Sequence, residues 1–69
     1  MRFNIYGRFH IIVEREGQAW RAYQVAHGIK TPVEDLIIPS DVSEEEMLIY
    51  LDDVYHEYAG FGQVIERVS

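Results

Sequence analysis

From Phe3 to Val13 the odd positions Phe3, Ile5, Gly7, Phe9, Ile11 and Val13 alternate with Arg2, Asn4, Tyr6, Arg8, His10, Ile12 and Glu14. A period of two sustained this long sends one set of side chains to each face of an extended strand, which a helix cannot do. The chain must therefore be built around a sheet with one strongly apolar face. Gly7 interrupts the pattern, and its missing side chain predicts a bulge or bend that splits the stretch into two segments. Arg15-Glu16-Gly17-Gln18 then supplies a turn. With Glu16 and Gly17 at its centre, Val13 faces Trp20 and Ile11 faces Ala22, while on the other face Ile12 meets Arg21 and His10 meets Tyr23.

A second strand is expected from Gln18 to about His27, followed by a loop at Gly28-Ile29-Lys30-Thr31-Pro32, because Gly and Pro punctuate regular structure. Asp35 to Ile38 carries the short apolar run Leu36-Ile37-Ile38, closed by Pro39, and reads as a third strand. Ser43-Glu44-Glu45-Glu46 is a capping box, with Val42 and Met47 placed as its hydrophobic staple. Gly60 reads as the residue that ends the helix after Ala59, giving a helix of about sixteen residues. On it Met47, Leu51, Val54, Tyr55 and Tyr58, with Leu48 and Tyr50 at the margin, share one side; Glu45, Glu46, Ile49, Asp52, Asp53, His56 and Glu57 share the other. A short edge strand at Gln63 to Val68 completes the chain.

These elements predict one domain over residues 1–69, of α+β class: a two-layer fold with a three- or four-stranded, mostly antiparallel sheet and one helix packed on one face. Its core is expected to join Phe3, Ile5, Phe9, Ile11, Val13 and Trp20 to Leu51, Val54 and Tyr58. A chain of 69 residues has room for one modest core and none for a deep catalytic cavity. With no cysteine it has no disulfide, thiolate metal site or thiol nucleophile, and a small domain without such staples often gains stability by oligomerising or docking. The N-terminus lacks the apolar stretch of a signal peptide, and no run approaches the roughly 20 residues that cross a bilayer, so a cytoplasmic protein without a membrane partner is expected.

The net charge of −6 is unevenly spread. Up to Lys30, Arg2, Arg8, Arg15, Arg21 and Lys30 outnumber Glu14 and Glu16; beyond it Arg67 stands against ten carboxylates. An acidic whole disfavours duplex DNA, whose binding needs clustered cations facing phosphates. It favours another protein, a basic one in particular, as partner.

Two surfaces are candidates for that contact. The acidic helix face offers Ile49 as an apolar anchor with Asp52, Asp53 and His56 around it, the pattern of a hot spot with a polar rim. The sheet face away from the helix would carry Tyr6, Arg8, His10, Arg21 and Tyr23 beside Ile12, Val25 and His27, residue types enriched at interfaces. A self-paired face of this kind would give a homo-oligomer. The same aromatic and basic side chains can stack single-stranded RNA, the alternative function. Asp53-x-x-His56 and Asp52-x-x-x-His56 have metal-site spacing on a helix, but a charged solvent-facing helix produces such spacings unaided, and no metal or other cofactor is expected. Ser40, Ser43 and Ser69 read as loop, cap and terminus, no phosphate loop is present, and no enzyme activity is expected.

The order hairpin, third strand, helix, short strand, with Glu16-Gly17-Gln18-Ala19-Trp20-Arg21-Ala22-Tyr23 crossing the turn, resembles HicB-like antitoxin domains. That resemblance implies toxin neutralisation by a small regulatory protein. The opening Met1-Arg2-Phe3-Asn4-Ile5-Tyr6-Gly7-Arg8-Phe9, together with Tyr50-Leu51-Asp52-Asp53-Val54-Tyr55-His56-Glu57, is also similar to a small bacterial family of unknown function. That second resemblance implies no activity.

Overall fold

Four consecutive strands descend from the alternating N-terminal half: β1 (Arg2–Ile5), β2 (Phe9–Glu16), β3 (Ala19–Ala26) and β4 (Ile29–Pro32). A helix α1 (Met47–Tyr55), continued by a 3-10 turn at His56–Tyr58, and a last strand β5 (Ile65–Arg67) complete the computed structural model, which describes residues 1–60 and 62–69. The strands form one antiparallel sheet in the order β4-β3-β2-β1-β5. The fold is α+β, with five strands where three or four were expected.

Each tight turn has a local cause. Gly7 marks a break between strands: Tyr6 and Gly7 both take positive φ (56° and 72°), and the Arg8 amide donates to the Ile5 carbonyl at 2.9 Å. Asn4 holds this turn by accepting from the Gly7 amide through Oδ1 at 2.9 Å. The next turn centres on Gly17 and Gln18, one residue later than expected, so Val13 pairs with Ala22, Ile12 with Tyr23 and His10 with Val25. The slip moves every pair by two residues on β3, an even number, which is why both face assignments survive it.

The expected loop at Gly28–Pro32 is instead β4. His27 and Gly28 adopt φ of 53° and 75°, the two left-handed residues of a hairpin turn matched to sheet twist. Pro32 is tolerated because β4 is an edge strand. With β4 occupying the outer edge of β3, Asp35–Ile38 pairs with no strand and is not one. It crosses the apolar face as coil, with Ile38 buried, Leu36 half-buried and Ile37 outward. Trp20 Nε1 donates to the Val42 carbonyl at 2.8 Å, Arg15 donates to the Ser40 carbonyl at 3.1 Å, and Tyr50 donates through its hydroxyl to the Ile37 carbonyl at 2.8 Å. These bonds pin the crossing segment over β2 and β3.

The capping box forms as expected: Ser43 Oγ accepts from the Glu46 amide at 3.2 Å and Glu46 Oε1 from the Ser43 amide at 3.1 Å. Those bonds hold the Glu46 carboxyl below its ordinary pKa. The residues they enclose form a turn closed by i to i+3 bonds, Glu46 to Ser43 and Met47 to Glu44, so the α-helix proper begins at Met47. Helical structure spans twelve residues, shorter than the expected sixteen, because Glu44–Glu46 stay in the turn that precedes the helix and Ala59 is already extended. Gly60 is not among the residues at positive φ and does not make the left-handed cap expected of it. Ser43→Ala is expected to lower stability by about 1 kcal/mol, as loss of an N-terminal cap does, measurable as a shift in the urea midpoint; an unchanged midpoint would show the box to be idle.

The core joins Phe3, Ile5, Ile11, Val13 and Ala22 of the sheet to Met47, Leu51, Ile38, Ile65 and Tyr6. Phe9 and Trp20 pack against it half-buried. Val54 and Tyr58, expected inside, are 41% and 55% exposed. The helix packs beside β5, and Arg67 of that strand pairs at 2.8 Å with Glu44 in the turn that precedes the helix. At the C-terminal turn of the helix Phe9 meets Tyr55 and Tyr58 edge to face, with centroids 5.7 and 6.5 Å apart, and the two tyrosine rings are tilted against each other at 6.0 Å.

Candidate protein-binding surfaces

On the helix, Ile49 is 71% exposed. It lines a shallow hollow with Val42, Glu46, Tyr50 and Asp53, so an apolar floor is rimmed by two carboxylates. Ile37, 79% exposed, adjoins it through the Tyr50 hydroxyl bond. Val42, Tyr50 and Ile37 were not among the expected contact residues. Val42 was legible only as a staple and Tyr50 only as marginal core.

The other expected helix residues divide. Asp53 contributes to the hollow, but Asp52 points its carboxylate at the sheet: Tyr6 donates its hydroxyl to Asp52 Oδ1 at 2.5 Å. Asp52 therefore fastens the helix to the first turn, whatever else it touches. His56 lies in the 3-10 turn, where Nδ1–H donates to the Asp53 carbonyl at 2.8 Å. Among the described residues no three His, Asp or Glu side chains converge as metal ligands do.

Tyr6 also corrects its own assignment. Expected on the open sheet face, it is 3% exposed and belongs to the core, because its left-handed backbone turns the side chain away from the strand alternation. Burial first, then the hydrogen bond and negative charge of Asp52, push its phenol pKa from 10.0 up to about 12.

The face of the sheet opposite α1 carries two rows read directly from the register. One runs Pro32, Tyr23, Ile12, Arg2; the other runs Lys30, Val25, His10, Asn4, Glu66. Tyr23, Val25, Ile12, His10, Asn4 and Arg2 are half-buried by one another, not by any covering element. Arg8 sits exposed at the turn beside them. Arg2 Nε donates to His10 Nδ1 at 2.8 Å, so that nitrogen of His10 carries no proton. Lys30 lies 4.3 Å over the Tyr23 ring and pairs with Glu14 at 2.5 Å, which raises the Lys30 pKa. Glu16 accepts from the Tyr23 hydroxyl and pairs with Arg21 at 3.3 Å. The Tyr23 bond foremost, then Arg21, holds the Glu16 carboxyl below its ordinary pKa. Two cations of this face, Lys30 and Arg21, are thus engaged by its carboxylates, while Arg2 donates to His10.

These features define a small two-layer α+β domain with one sheet face covered and the other open. The chain belongs to the family described as Domain of unknown function (DUF7661), whose model matches residues 1–68. No curated protein and no solved structure matches it. Membership of a family of unknown function agrees with the second of the two resemblances; the HicB-like one is not shown, and the strand placed before the helix for it is Ile29–Pro32, not Asp35–Ile38. No helix among the described residues is long and apolar enough to cross a membrane.

Proposed function

We propose that this chain is a small acidic cytoplasmic module without catalytic activity that binds a basic protein, in a regulatory or inhibitor-like role. The observation that carries this reading is the hollow around Ile49: an exposed isoleucine with Val42 and Tyr50 beside it, and Glu46 and Asp53 at its edge. An apolar anchor inside a charged rim gives affinity through burial and selects partners of opposite charge. The acidic C-terminal half adds long-range attraction for such a partner. Single-stranded RNA is the weaker reading, since Arg21 and Lys30, two of the cations of the open face, are paired with Glu16 and Glu14.

The test is capture of partners from the native cell by wild-type chain, Ile49→Arg, Asp53→Lys and, as a charge control on the opposite side, Arg8→Glu. Asp52 is unsuitable as a probe because its reversal would break the Tyr6 bond. A specific basic protein should be retained by wild type and Arg8→Glu and weakened by about thirtyfold or more in Ile49→Arg, the size of a hot-spot loss. Equal capture by all four chains would overturn the proposal.

A further inference from the structure

We infer that the open sheet face is a self-complementary surface that pairs two copies of this chain face to face. The inference uses the side of the sheet opposite Ile49, and stands or falls apart from the helix-face reading.

The strand order places β2 at the centre, with β3 and β4 on one side and β1 and β5 on the other. A twofold axis running along β2 therefore sets β4 over the partner's β5 and β3 over the partner's β1, while each row of side chains stays in its own row. In the first row Ile12 meets its own copy on the axis, and Tyr23 meets the partner's Arg2. In the second row Lys30 meets the partner's Glu66, and Val25 meets the partner's Asn4, with His10 near the axis. Each off-axis contact occurs twice. Opposite charges thus face one another at both rims, a cation faces an aromatic ring inside them, and the apolar residue sits at the centre.

The arrangement has the anatomy of an interface, with an aliphatic and aromatic middle and a charged border. Glu14 also meets its copy, but each Glu14 is already paired with its own Lys30. Aligned packing of two twisted sheets, about 10 Å apart, is an established way to cover such a face. The geometry gives a closed dimer with the two Ile49 hollows pointing outward, available at the same time.

Sedimentation of the purified chain over a range of concentrations, with circular dichroism to confirm folding, tests this. The wild type should dimerise. Ile12→Arg, which places two cations on the axis, should be a folded monomer. In a Glu14→Gln background, which removes the axial carboxylate that Lys30 otherwise neutralises, Glu66→Lys and Lys30→Glu should each weaken the dimer by about tenfold, since two symmetry-related contacts become repulsive, and their combination should return to within about threefold of the Glu14→Gln parent. Recovery in that combination cannot come from general destabilisation, so the result holds even if Ile12→Arg fails to fold. A wild type that is monomeric at every concentration, including one that binds another protein or a single-stranded oligoribonucleotide through this face, overturns the inference. So does a dimer that the charge swap leaves unchanged or does not restore.

Discussion

Leu51→Ala is expected to leave much of the chain unfolded. Leu51 is fully buried between helix and sheet, and truncating such a leucine costs about 2–5 kcal/mol through lost transfer energy and the cavity left behind. A domain of this length has on the order of 3–10 kcal/mol in total, and a small core has few neighbouring side chains able to collapse into the gap. The urea midpoint should fall steeply with the slope of the transition unchanged. Ile49→Ala, two positions earlier on the exposed side, should stay within about 0.5 kcal/mol of wild type. Equal midpoints for the two variants would mean that the helix is not seated on the sheet through Met47 and Leu51.

Tyr6→Phe is the second large effect, and it carries a pH signature. The phenol donates to a carboxylate from a buried position, and a bond of that kind is worth about 1.5–3 kcal/mol. The substitution keeps the ring and therefore isolates the hydroxyl. Because folding raises the Tyr6 pKa from 10.0 to about 12, its contribution is complete below about pH 10, the unfolded value, and is lost as pH rises through about 12. Wild type should therefore lose stability between those limits, and Tyr6→Phe, weaker at neutral pH, should lose less. Some alkaline loss will remain, since burial also raises the Tyr55 pKa and the Glu16 bond raises that of Tyr23. Identical alkaline profiles for the two chains would remove the Tyr6–Asp52 bond as the link between helix and first turn.

The residues that were legible are those whose behaviour is decided within a few positions along the chain. Alternation assigned Phe3, Ile5, Ile11 and Val13 to the core and His10, Ile12 and Tyr23 to the opposite face, and the structure keeps each there. Ser43 and Glu46 announced their mutual bonds because a capping box needs only its own four residues. Ile49 was readable as outward-facing from helical spacing alone, but not as part of a hollow, because Val42 and Tyr50 reach it from a coil segment and from the helix margin.

The misread residues share a different property. His27 looked like the end of a strand because a non-glycine residue at positive φ leaves no compositional trace, and β4 was lost with it. Leu36-Ile37-Ile38 has the composition of a strand, yet β4 takes the edge of β3 and the run is held across the apolar face instead, with Ile38 buried in the core. Tyr6 obeyed the alternation in sequence and broke it in space, for the left-handed turn redirects its side chain toward Asp52, forty-six positions away.

Sequence by itself thus determined the sheet's two faces, the capping-box bonds ahead of the helix and the separation of basic and acidic halves, since periodicity, capping and charge are properties of neighbouring residues. Only the tertiary structure decided which segment claims the sheet edge, which tyrosine is buried, and which carboxylates are left facing outward. Those outcomes depend on competition between distant segments for the same unpaired backbone groups and the same apolar surface, and that competition is settled when the chain packs.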